Sequence, residues 1–376
     1  MNKDFNHSYW ELKRYFRPAD LVVAGAGIVG LSTAIAYQLK HKKARVLVLE
    51  RGVFPEGAST KNAGFACFGS AGELLDDLQN TTHTNEVWDT VKLRWQGLHL
   101  LRKRLGDKAL DYKAWGGYEL FSEQTEWDKV HSALNDLNLK MENTLGLKTC
   151  YRPVRAPLNY TKGFKAALLN AHEGQLDTGK MMLALEHLAA KLGINILYNI
   201  PVSKILDLSA KVELHTNQGV FSAGKCVVAT NGFARQLLHL PEVKPARAQV
   251  LLSSPIPGLK IKGSYHFDKG YYYFRNIHNR VLFGGGRHLD FKTEETDRFG
   301  LNTAIQKQLQ ILLKTRLLPG QNFTIDHSWS GIMGLGNEKK PIVKPVSKNV
   351  IAAVRMGGMG VAIGSKVGEM AAGLLD

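Results

Sequence analysis

The feature that most constrains this chain is Asp20-Leu21-Val22-Val23-Ala24-Gly25-Ala26-Gly27-Ile28-Val29-Gly30, which runs directly into Leu31-Ser32-Thr33-Ala34-Ile35-Ala36-Tyr37-Gln38-Leu39. A short apolar strand meets a G-x-G-x-x-G turn, and Leu31, Ile35 and Leu39 then recur at helical spacing. A second apolar strand, Arg45 to Leu49, ends at Glu50, twenty positions past Gly30. In that context the glycines permit a tight turn and close backbone approach to a pyrophosphate, which the helix N-terminus receives. The acid closing the second strand accepts hydrogen bonds from ribose hydroxyls. A dinucleotide site built on Gly25, Gly27, Ile28, Val29, Gly30, Glu50 and Arg51 follows, with FAD and NAD both open at this point.

A chain of 376 residues exceeds what one core usually supports, so a two-lobed unit or two domains is expected. Cys67, Cys150 and Cys226 are far apart and lack C-x-x-C spacing, which argues against a disulfide framework or a metal site and suits a reducing cytoplasm. Lys and Arg outnumber Asp and Glu by 49 to 33, a net charge of +16. These basic residues fall in short scattered groups such as Arg102-Lys103-Arg104, so a solvated surface is the reading and no nucleic-acid partner is expected. Residues 1–20 lack the apolar core of a signal peptide, and no window reaches the ~18 to 20 apolar residues of a membrane span. A cytoplasmic protein is expected, with peripheral membrane contact through basic surface left open.

Along the chain, the leader Asn6 to Glu11 is expected to pack outside the first domain, and Pro55 to Phe65 reads as a small-residue loop beside a cofactor. Apolar spacing predicts helices over 85–105, 126–139, 180–192 and 296–313. Strands are expected at 117–121 and 194–198, with a hairpin over 212–223 and a separate buried strand from Cys226 to Ala229, closed by Thr230-Asn231-Gly232. Residues 249–253, 270–275 and 281–284 suggest an antiparallel sheet, in which Tyr271 and Tyr273 share one face and Tyr272 the other. A final buried strand, Asn349 to Val354, enters a second glycine turn, Gly357-Gly358-Met359-Gly360-Val361, and a small-residue helix.

Three separated segments resemble the FAD-dependent amine and amino-acid oxidoreductases typified by glycine oxidase, monomeric sarcosine oxidase and D-amino acid oxidase. They are the first glycine turn with Glu50; Gly57-Ala58-Ser59-Thr60-Lys61-Asn62-Ala63-Gly64, similar to the family's flavin loop; and His327-Ser328-Trp329-Ser330-Gly331 followed by Lys340-Pro341-Ile342-Val343 and the late glycine turn. Val202 and Thr230-Asn231-Gly232 match in order as well. The resemblance implies an α/β architecture: a Rossmann-like FAD-binding domain assembled from 1–80, 150–240 and 328–376, and an α+β substrate domain from 81–149 and 241–327 with a mainly antiparallel sheet. It places Asn62 to Phe65 and Gly358 to Val361 by the flavin ring and Val202 by the adenine, with Ser59, Thr60, Lys61 and Gly357 among the cofactor-binding residues. It also implies hydride transfer from the carbon bearing nitrogen of an amine or amino acid to flavin N5, with oxygen or another electron acceptor reoxidising the cofactor. Such chemistry needs orientation and dryness rather than a side-chain base, so none is nominated.

The chain departs from that pattern where the substrate carboxylate is usually anchored. The position after Trp329-Ser330-Gly331-Ile332 is Met333 rather than Arg, and the position two residues past the late turn is Ala362 rather than Lys. Either another cation, Arg275 or Arg287, holds a carboxylate, or the substrate is an amine without one. Phe65, Tyr271, Tyr273, Trp329, Met333 and Met359 are the remaining pocket candidates. No Cys or His stands at the matched attachment positions, Lys61-Asn62 and Met333, so noncovalent FAD is expected. The strand Val281 to Gly284 offers no Lys for oxygen activation, which favours another acceptor. A flavin-binding protein with a decayed site and an FAD-dependent hydroxylase are the alternatives.

Overall fold

The computed structural model describes residues 5–155 and 161–376; residues 1–4 and 156–160 of the expected domain ranges lie outside it. The apolar runs Ala19–Ala24 and Val46–Leu49 form adjacent parallel strands, every inward residue shielded from water. Burying each such Leu or Val side chain is worth ~1.5 to 3 kcal/mol, which makes this ladder the core of the first layer. Its sheet runs Ile342–Pro345, Val350–Val354, Gly219–Val228, Ala19–Ala24, Val46–Leu49, Asn195–Leu197, with Val212–Thr216 and Val202–Asp207 extending it antiparallel. Ala19–Ala24 is central, and the strand order reverses direction at its C-terminal end. That reversal opens the crevice in which such sheets bind ligands.

The hairpin strand and the buried Cys226 run, expected as two elements, are one ten-residue strand, Gly219–Val228. Its first half alternates where it pairs with the hairpin strand Val212–Thr216; its last three residues, Cys226 to Val228, are apolar and buried where parallel strands lie on both sides. The predicted helix over 126–139 is two helices, Gln124–Ser132 and Leu134–Leu145, separated at Ala133. That over 296–313 begins only at Thr303, where the Asn302 side chain accepts from the Ala304 and Ile305 amides.

The second sheet runs Ile325–Leu335, Lys244–Ser253, Arg280–Gly285, Tyr272–Ile277, Ser264–Phe267, Gly117–Phe121, Ala166–Asn170, Tyr151–Val154. All its pairs are antiparallel except Ser264–Phe267 with Gly117–Phe121. Tyr151–Val154 and Ala166–Asn170, assigned from sequence to the first domain, are strands of this second sheet. They pair outward from Gly117–Phe121, a partner their own sequence does not announce. The Ile325–Leu335 strand also belongs here, through its long ladder with Lys244–Ser253. The late helix Gly360–Gly373 packs on Ile28–Lys40 at the closest range: a Cβ on Gly368 would lie 2.6 Å from the Ser32 Cβ.

Candidate active site

One continuous cavity of ≈ 620 Å³ starts at the end of the Ala19–Ala24 strand and runs between the two sheets. At its first end Gly25, Gly27, Ile28, Val29, Glu50 and Arg51 line the wall. Gly30 does not; it is where helix meets turn, and a Cβ there would stand 1.9 Å from the Gly25 carbonyl oxygen. The Ile28 amide donates to Ser59 Oγ at 2.9 Å, tying the flavin-loop segment to the helix N-terminus. Glu50 is buried and accepts from the Ala26 and Gly52 amides at 2.9 and 3.1 Å, which fixes its carboxylate at the strand end. Arg51 lies 3.7 Å over the Phe233 ring. Val202 and Thr230 border the same space, and the buried Thr230 hydroxyl has no partner.

The middle of the cavity is formed by loops far apart in sequence. Ser59, Lys61, Asn62 and Ala63 line it, and Asn62 organises the loop: its amide donates to Ser59 O at 2.8 Å, while its carbonyl oxygen accepts from the Gly64 amide at 2.8 Å and the Thr178 hydroxyl at 2.9 Å. Thr60 faces away, donating to Pro55 O at 2.6 Å. Gly64 stays outside the lining because Leu176 O and Arg275 crowd it. Trp329 also lies outside; its indole donates to Lys61 O at 2.9 Å and so holds the loop from behind. Opposite stand Met333 and Gly357 to Val361, with the Asn231 side chain accepting from the Met356 amide at 3.2 Å. Gly232 instead packs against Met333 O and lies outside the lining.

At the far end Phe65 meets Tyr273 edge-on at 5.6 Å, and Tyr271 continues the wall. Tyr272 points into the other core with Phe267 and Phe283, as strand alternation requires. Arg287 borders the cavity, its guanidinium stacked 4.6 Å from the Phe291 ring and making no side-chain hydrogen bond or ion pair among the described residues. Burial holds its pKa below the ordinary value. Arg275, the other candidate, is not in the wall. Only 6% exposed, it lies behind Gly64, where burial lowers its pKa to about 10.

Several cavity residues carried no signal in spacing or motif. His266 lines the wall, and burial pushes its pKa down to about 4, leaving a neutral imidazole. Burial raises the carboxyl of Glu173, another lining residue, to about 7; it accepts from the Phe68 and Gly69 amides. Burial would raise Glu73 too, but Lys339 at 2.7 Å, with Arg94, overrides it and holds the carboxyl at about 2. Behind them, burial pushes Glu119 up to about 8. An acid at an inward position of the Gly117–Phe121 strand was the one detectable hint of this group.

Residues 20–374 match the model of the DAO family, FAD dependent oxidoreductase. The chain belongs to that family. Across 94% of its length this DAO-family protein is 23% identical to the "Probable oxidoreductase OrdL" of Haemophilus influenzae, of which it covers 82%. Among solved structures, L-proline dehydrogenase from P. horikoshii superposes with a TM-score of 0.77 at 19% identity, over 95% of this chain and 93% of the other. Glycine oxidase from Geobacillus kaustophilus gives 0.75 at 19% identity, over 95% and 94%. This DAO-family protein is therefore an FAD-dependent oxidoreductase, and its site fits the cofactor by its own features. The glycine turn brings backbone into the cavity, the Glu50 carboxylate stands at the strand end, and Thr230, whose buried hydroxyl has no partner, borders the same space. Among the described residues no helix is long and apolar enough to cross a membrane, and no group of three His, Cys, Asp or Glu is placed to hold a metal.

Proposed function

We propose that this protein oxidises the C–N bond of an amino acid or a related carboxylate-bearing amine, with Arg287 holding the carboxylate. The observation that carries this is a cavity-facing guanidinium with no ion-pair partner, at a site where Met333 supplies no charge. A carboxylate there would gain charge-assisted hydrogen bonds from a group already partly stripped of water. The two solved neighbours are named for proline and glycine, each of which joins an amine nitrogen to a carboxylate.

Gly25, Gly27, Ile28, Val29, Glu50 and Thr230 would hold the ADP portion of FAD; Ser59, Lys61, Asn62, Ala63, Met333 and Gly357 to Val361 would surround its flavin. FAD bound there would supply the acceptor for a hydride from the substrate carbon bearing nitrogen, leaving an imine for water to hydrolyse to a carbonyl and the free amine or ammonia. The chain's residues orient and dry the substrate: Phe65, Tyr271 and Tyr273 form an aromatic wall, and His266 stays neutral beside it. The N-terminus of Gly360–Gly373 opens on the cavity, so its positive end favours an anion there. FAD is held noncovalently. Cys67, the lining thiol, is kept protonated by burial, which removes the thiolate that attachment would need. All flavin should leave the protein on acid denaturation; flavin in the protein pellet would overturn this.

The test of function is anaerobic bleaching of the bound flavin by glycine, sarcosine, D- and L-amino acids and polyamines. Bleaching by carboxylate-bearing amines is expected. Bleaching by polyamines alone would remove the role of Arg287, and a flavin reduced by none of them would mark a decayed site.

A further inference from the structure

Outside the cavity, the least accounted-for element is the helical stretch Tyr9–Glu11 and Leu12–Phe16. Short surface helices normally persist because one face is buried against the core. Here no residue is buried, although Tyr9, Trp10, Leu12 and Tyr15 are 66%, 71%, 37% and 37% exposed. The stretch is nonetheless fixed in place. Ser8 and Glu11 form a reciprocal cap, Phe16 stacks on Phe221 at 4.6 Å, and Arg45 donates to Arg14 O and Tyr15 O at 2.7 and 3.1 Å. An ordered scaffold thus presents aromatic rings outward, and among the described residues Tyr9 and Trp10 meet only each other and Lys13 in ring contacts.

The charge of this surface selects the partner. Lys13, Arg14 and Arg17 project from the same stretch, while its single acid, Glu11, is engaged by the Ser8 amide at 2.7 Å. Arg14 reaches Asn195 at the start of the Asn195–Leu197 edge strand. Past the other end of that strand, the Asn199 amide donates to Gly52 O, next in sequence to a second exposed apolar pair, Val53 and Phe54 at 67% and 55% exposure. Trp and Tyr interleaved with Lys and Arg suit the boundary between lipid headgroups and acyl chains, where rings enter the interface and cations meet anionic phosphates. The whole-chain charge of +16 adds long-range attraction to such a surface.

We propose that the Tyr9–Phe16 stretch, with Val53 and Phe54, docks this enzyme on an anionic lipid bilayer. The insertion is shallow: the rings reach the headgroup level, and the lobe stays in water.

The test is co-sedimentation of the FAD-loaded protein with vesicles of 30% phosphatidylglycerol in phosphatidylcholine, against pure phosphatidylcholine. The wild type should bind the anionic vesicles at least tenfold more strongly. A Tyr9→Ser/Trp10→Ser double variant should lose at least tenfold in binding while keeping its flavin absorbance and thermal midpoint, since neither side chain is buried. A Lys13→Glu/Arg17→Glu variant should lose binding at low salt. Tryptophan emission should shift to the blue on adding vesicles, and the shift should shrink in the Trp10 variant. The proposal is overturned if the wild type ignores anionic vesicles, or if the double variant binds as well as wild type, which would assign binding to the general basic surface. It is also overturned if the stretch instead pairs two copies, seen as a doubled sedimentation mass that the Tyr9/Trp10 variant halves.

Discussion

The two ends of the cavity are built by different means. At the dinucleotide end the working groups are backbone amides and missing side chains: Gly25, Gly27, the Ile28 helix N-terminus, and Glu50 held by two amides. At the substrate end they are side chains drawn from remote strands and loops: Phe65, His266, Tyr271, Tyr273, Arg287 and Met333. Backbone sites tolerate little change because the fold itself is the ligand. Side-chain sites can be rewritten without disturbing the fold, and Met333 stands at a position where the family resemblance implies an arginine.

That contrast makes the largest effect the one at the backbone end. Gly30→Ala sets a methyl group 1.9 Å from Gly25 O, an overlap costing ~3 kcal/mol or more. Loss of nearly all bound flavin is expected, read as flavin absorbance per protein; full retention would break the contrast. At the side-chain end, Arg287→Met should leave flavin content unchanged and weaken substrate binding by ~2 kcal/mol, a KM raised roughly thirtyfold. Steady-state kinetics with the best substrate of the panel measures it, and an unchanged KM would remove the anchor.

Smaller effects separate the cavity from its support. Burial holds the Glu119 carboxyl at about 8 against an ordinary 4.5, so the folded protein keeps a proton that the unfolded chain releases. The folded state therefore loses stability as pH rises from about 4.5 to 8. Glu119→Gln should raise the melting temperature at pH 8 and change it much less near pH 4.5, as thermal unfolding at the two pH values would show. Smallest of all, Trp329→Phe deletes the 2.9 Å bond to Lys61 O, a loss of ~1 kcal/mol. It should loosen flavin affinity severalfold without touching KM, checked by titrating FAD into the apoprotein.

Legibility followed the same division. The strand, turn, helix and terminal acid from Asp20 to Glu50 were readable because each part is local and each has a backbone requirement that few residue types meet. The alternation of Tyr271, Tyr272 and Tyr273 was readable for the same reason, and Tyr272 indeed turns to the opposite core. Glu73, Glu173 and His266 were not, since an isolated acid or imidazole has the same local pattern on a surface as in a cavity. Arg275 and Arg287 looked equivalent as sequence. Only the packing of Gly64 and Leu176 over one strand, and the opening beside the Gly284-Gly285-Gly286 turn, separate the buried arginine from the one that meets the cavity.

By itself the sequence determined the cofactor-binding architecture and its order along the chain, because short-range periodicity and glycine geometry are properties of neighbouring residues. Tertiary structure alone decided that Tyr151–Val154 and Ala166–Asn170 join the second sheet and that Met333 faces the late glycine turn. It also decided which of the two arginines borders the cavity. Those outcomes depend on contacts between residues well separated in sequence, from Met333 and Gly358 to Gly64 and Arg275, where burial and charge are set by the partner and no local pattern records it.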